Sequence, residues 1–137
     1  MSDTRTAGER SGLTVGTLRR IDDLEAIGAD WDAMVRAMPR PSPFMLHAWL
    51  AEWWRHHGHG DLSIHVAWRG GHLVGGLPFH VRRTFGLRLL EFVGGHDSAL
   101  ADILLADPTD LEAAGAVARH AVASPPDAAA SWRSARR

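Results

Sequence analysis

Cysteine is absent from this chain, and so are tyrosine, lysine, asparagine and glutamine. Without cysteine there is no disulfide scaffold, no thiolate zinc site and no thiol nucleophile. Without lysine and tyrosine, an amine nucleophile, a P-loop lysine and a phenolic acid are excluded as well. All 15 basic residues are therefore arginines. The frequent Ala, Gly, Arg and Pro match GC-rich coding, which accounts for the missing residue types. No apolar run approaches the roughly 18 residues of a membrane span, and the polar start lacks the apolar core of a signal peptide. A cytoplasmic protein with no membrane span is expected. The net charge is −1, but it is unevenly placed. Residues 1–20 and 124–137 each carry a net +2, and the segment between them carries −5. An acidic body repels a phosphate backbone, so no nucleic-acid partner is expected.

A chain of 137 residues with 45% apolar content is long enough for one domain, which buries roughly two thirds of its unfolded surface. Residues 1–12 lack periodicity and read as a disordered lead. "LTVGTLRR" then fits a strand. Leu24, Ile27, Trp31, Met34, Val35 and Met38 recur at helical spacing, with Asp22 or Asp23 as cap. Pro39, Pro41 and Pro43 end that helix.

The stretch "HAWLAEWWRHHGHG", residues 47–60, raises three alternatives: a metal site, an aromatic cage, or a helix with its end. Leu46, Trp49, Leu50, Trp53 and Trp54 fall on one helical face, which predicts a helix whose tryptophans pack inward. Ser42 and Pro43 fit its start, and Gly58 fits a left-handed position past its end. Trp49 and Trp53 are expected against a strand carrying Ile64, Val66 and Trp68. His56, His57 and His59 lie in the last turn, where adjacent side chains point about 100° apart and do not share one ion. No metal is expected.

From Leu62 the period becomes two. Leu62, Ile64, Val66 and Trp68 alternate with Ser63, His65 and Ala67, the pattern of a half-buried strand. Gly70–Gly71 reads as a hairpin turn into "HLVGGLPFHV", where Gly75, Gly76 and Pro78 predict a bulge or a change of partner. "RRTFG" turns into a third strand, "LRLLEFVGG". "LADILLA" fits a short strand or a buried segment. Thr109 with Glu112 matches a capping box for a helix to about Val122. The fold class expected is α/β (α+β): strand, two helices, an antiparallel meander of three to four strands, then a helix. The domain runs over 13–123, and 124–137 forms an irregular tail.

"WDAMV", "PFMLHAWLAEWW", "LVGGLPFHV", "FGLRLLEFVGG" and a Ser-x-x-x-Asp-x-Leu pattern at Ser98, Asp102 and Leu104 occur in this order. Together they resemble the N-terminal part of the CelD-like branch of the GNAT acyltransferases, associated with cellulose biosynthesis. The resemblance implies transfer of an acetyl or acyl group from acetyl-CoA (acyl-CoA) to an amine or sugar-linked acceptor. Family members are considerably longer and built as two GNAT-like halves, the better-formed acyl-CoA site lying in the second. The resemblance implies a first half, so a truncated or frame-shifted product that pairs with a second half or with itself is expected. The CoA pyrophosphate loop of such enzymes finds its nearest match at Arg83, Gly86 and Arg88, with Arg88 in place of a small residue. A hairpin turn with solvated arginines is the competing interpretation of that segment. Acyl transfer needs a base, and His96, Asp97 and Asp102 stand where a loop after a strand presents them. A Ser98–His96–Asp97 triad is excluded, since adjacent residues do not reach that geometry and no Gly-x-Ser-x-Gly elbow is present. The alternative to a catalytic role is a non-catalytic GNAT-like module that docks on a second domain or subunit.

Overall fold

The computed structural model describes residues 12–94 and 103–123. Its elements are β1 (Leu13–Leu18), α1 (Ile21–Ala26), α2 (Gly28–Ala37), a 3-10 turn (Pro43–Met45), α3 (His47–His57), β2 (Asp61–Arg69), β3 (His72–Thr84), β4 (Leu87–Phe92), β5 (Leu104–Leu105) and α4 (Leu111–Ala123). The expected α+β class is observed. Among the described residues no helix is long and apolar enough to cross a membrane.

The sheet is antiparallel in the order β1-β2-β3-β4. Both tight hairpins have two-residue turns with positive φ at each position, Gly70–Gly71 (58° and 80°) and Phe85–Gly86 (52° and 76°). That is the requirement of a type I′ turn, whose twist matches the strands. β3 changes partner along its outer edge. Gly75–Gly76 pairs with β5, and from Phe79 onward the edge pairs with β4. Opposite Ala67 and Trp68 the register slips by one residue, the bulge that the glycines announce.

Helices cover both faces of the sheet, giving three layers. On one face Leu18, Ile64, Val66 and Trp68 pack against Leu24, Ile27, Trp31, Met34, Val35 and Leu50. On the other, Leu13, Ala67 and Leu77 pack against Ala113, Val117 and Ala121 of α4. Gly76 lies directly under Trp31, where a Cβ would stand 2.9 Å from the indole. The buried Trp31 Nε1 donates to the Met45 carbonyl at 2.8 Å, tying α2 to the turn before α3.

Several local expectations are corrected. The first helical segment is two helices, because Ile27 leaves helical geometry at φ −108°, ψ 21°. Gly28 follows it, and a Cβ there would collide with the His47 ring. Neither Asp22 nor Asp23 caps α1. The N-cap is Arg20, and the aspartates sit in the first turn, where the helix dipole favours them. Ser42 does accept from the Phe44 N–H at 3.2 Å, but it caps the 3-10 turn. The start of α3 is capped from another element, by Asp32 Oδ1 on the His47 N–H at 2.8 Å. Gly58 has φ −73°, and the left-handed residue is Gly60 at 82°. Gly58 is nonetheless needed, because the Trp54 ring folds over it and leaves no room for a side chain.

The tryptophans of α3 also differ from expectation. Its buried residues are Leu50 and Ala51, while Trp49, Trp53 and Trp54 are half-buried at the edge of the core. α2 already occupies the sheet through Trp31 and Met34, so α3 rests mainly on α1 and α2 instead of lying along β2. β2, expected to be half-buried, is buried on both faces because α4 covers the second one. At α4 the cap is Asp110, whose Oδ1 accepts from the Ala113 N–H at 3.1 Å. Thr109 instead closes a turn on Asp107, and Glu112 reaches Arg69.

Candidate functional site

His96, Asp97 and Asp102 lie outside the described residues. Arg83 and Arg88 are cross-strand partners in the β3–β4 ladder, and Gly86 sits in the turn between them. The segment runs into β4, so it offers no helix N-terminus to a pyrophosphate. No step through acyl-CoA is therefore assigned to these residues. Glu91 is engaged on β4, with Oε2 accepting from Arg82 Nη2 at 2.9 Å and Oε1 3.7 Å from His80 Nε2.

The histidines after the α3 tryptophans go to three different neighbours. His56 pairs with Glu52 one turn back at 3.6 Å. The His57 ring rests against Trp53, with centroids 5.6 Å apart. The His59 carbonyl accepts from Nδ1 of the buried His80 at 3.3 Å. The His80 ring in turn lies 5.8 Å from Trp53 and 5.6 Å from Trp54. Two tryptophans of one helix thus enclose a strand histidine, a use of the aromatic run that helical spacing alone does not reveal. A second pair, Asp32 and His47, resembles a catalytic dyad in its 2.8 Å Nδ1–Oδ2 contact. Its chemistry is nevertheless that of a helix cap, since the same carboxylate holds the His47 backbone N–H.

The most unusual polar arrangement lies under α4. Thr17 of β1 is directly across from His65 of β2 in the sheet register. Thr17 Oγ1 is 3.2 Å from His65 Nδ1 and 2.9 Å from His120 Nε2 of α4. On the other side of the ring, His65 Nε2 is 2.9 Å from Ser63 Oγ. The two imidazoles meet edge to face, with centroids 5.3 Å apart. Ser63, His65 and Thr17 are buried, while His120 is half-exposed. Burial depresses the His65 imidazolium to about 3, with the charges of His120 and Arg19 adding to the effect. His120 is lowered too, first by burial and then by Arg19. Both rings are accordingly neutral at pH 7, and a neutral imidazole has one donor and one acceptor nitrogen.

His120 joins this cluster to the surface. With Leu13, Val15, Glu112, Ala116, Arg119 and Ala123 it lines a groove of about 460 Å³ between β1 and α4. Strand periodicity carried only half of the signal for this site. Thr17, Ser63 and His65 alternate with core residues, but period two does not tell a solvent face from a face that a distant helix covers. Compared with models of known protein families, with curated proteins and with solved structures, the chain matches none.

Proposed function

We propose that this chain is the first half of a GNAT-like, CelD-type acyltransferase, which moves an acetyl or acyl group from acyl-CoA to an amine or sugar-linked acceptor once a second half completes the site. The order of elements is compatible with it: a strand and helices before an antiparallel meander, and a helix after it. The observation that carries it is Phe85, which is 98% exposed and holds a positive φ of 52°. A bulky side chain in that region costs on the order of 1 kcal/mol, and an exposed ring returns nothing for it. Leu87, Leu89 and Leu90 of the outer strand β4 are exposed beside it. An apolar hairpin of this kind is the surface a second half would cover.

The test is calorimetric titration with acetyl-CoA of the chain alone and of the chain co-expressed with the polypeptide encoded directly downstream. Weak or absent binding by the chain alone, and binding with CoA release by the pair, are expected. A pair that neither associates nor binds acetyl-CoA would refute the proposal. A second reading, a non-catalytic module docked on another subunit, is favoured by the Arg83–Arg88 segment forming a hairpin. It predicts a stable complex that releases no CoA in the presence of amine or sugar acceptors.

A further inference from the structure

We propose that the groove between β1 and α4 is a binding site for a small carboxylate with an aliphatic body. It stands apart from the β3–β4 hairpin on which the proposed function rests, and its failure leaves that proposal untouched. At about 460 Å³ it falls within the range of small-molecule sites. Leu13, Val15, Ala116 and Ala123 give it an apolar lining suited to a short alkyl chain.

Charge selects the head group. Of the charged residues in the lining, Glu112 is already held by Arg69 Nη2 at 2.6 Å. Arg119 lines the groove with its guanidinium beside Gly115, and no described carboxylate pairs with it. Among the described residues Arg119 is thus the lining charge with no partner of opposite sign. A carboxylate is the matching ligand, and a guanidinium is its natural bidentate partner. An amine of the same length meets repulsion from Arg119.

The buried cluster supplies the second contact. Thr17 holds His120 by Nε2, which leaves Nδ1 of this groove-lining ring for a ligand. The contacts can run in either proton direction, and a carboxylate in the groove selects the one in which Ser63 O–H donates to His65 Nε2, His65 Nδ1–H to Thr17 Oγ1, and Thr17 O–H to His120 Nε2. His120 then carries its proton on Nδ1 and donates it to an acceptor in the groove. A carboxylate is such an acceptor.

The full chain is titrated with sodium hexanoate, 1-hexanol and hexylamine while the histidine ring protons are followed by NMR. Saturable hexanoate binding is expected, with the His120 pKa rising on binding because a carboxylate stabilises imidazolium. Hexylamine should not bind at the same concentrations. Arg119→Gln, on an exposed position, should weaken hexanoate about tenfold or more, the loss of one charged hydrogen bond. Ala116→Leu, which fills the groove, should do the same without touching a charge. Hexanol binding as tightly as hexanoate would remove the carboxylate from the proposal. Non-saturable hexanoate effects, an unmoved His120, or an affinity indifferent to both substitutions would overturn the site itself.

Discussion

His65 lies between Thr17 and Ser63 with no exposure to water, and its imidazolium is destabilised to about 3 from the ordinary 6.5. The unfolded chain therefore binds a proton that the folded chain rejects across that interval. Stability is complete above pH 6.5 and falls as the pH drops toward 3, the direction set by the excess of protons on the unfolded state. From pH 6.5 to pH 5 this residue alone removes about 2 kcal/mol. His120, lowered in the same direction, steepens the loss. Denaturant unfolding at pH 7 and pH 5 should show the difference, and His65→Gln should flatten it while preserving hydrogen-bonding groups. An equal drop in the variant would place the acid sensitivity elsewhere.

At the scale of elements, α4 is fastened to the sheet by its first turn. Arg69 of β2 donates to Asp110 at 2.5 and 3.3 Å and to Glu112 at 2.6 Å. The hydrogen bond from Arg69 is the chief cause that lowers the Asp110 carboxyl pKa, and the Ala113 N–H lowers it further. Asp110 thus joins two functions, helix cap and ion-pair partner. Asp110→Ala should cost about 1–2 kcal/mol, and Asp110→Asn, which still caps, should cost less. Equal losses in the two variants, read from denaturant midpoints, would show that the ion pair and not the cap carries the effect. Sequence pattern placed this cap one residue early, at Thr109. Both residues are good caps by type, and only the position of Arg69 across the gap decides between them.

At the scale of the whole molecule, the β3–β4 hairpin carries Phe85 in its turn and Leu87, Leu89 and Leu90 on a strand that pairs, among the described residues, with β3 alone. Long apolar edge strands promote pairing between chains unless charge or proline blunts them. Light scattering after size exclusion should give a mass above that of one chain, increasing with concentration. Phe85→Asn with Leu89→Lys should return the monomer, and the asparagine should also relieve the turn, since it tolerates positive φ better than phenylalanine does. A monomer at every concentration that binds no hydrophobic dye would show that this surface is not an interface.

Local information in the chain determined the kinds and order of its elements. Apolar spacing marked the helical residues Leu24 to Val35, alternation marked β2, and paired glycines marked the first hairpin, because each signal lies within a few residues. The class of fold followed from that order. Tertiary structure alone decided which faces are buried. Ser63 and His65 have the pattern of a solvent face, yet α4, some fifty residues later in the chain, closes over them and turns them into a buried relay. Trp49 and Trp53 have the pattern of a core face, yet α2 reaches the sheet first and leaves them at its margin. The cap of α3 comes from Asp32 of α2 for the same reason. Periodicity reports which side chains share a face, and only the packing of distant segments determines what that face meets.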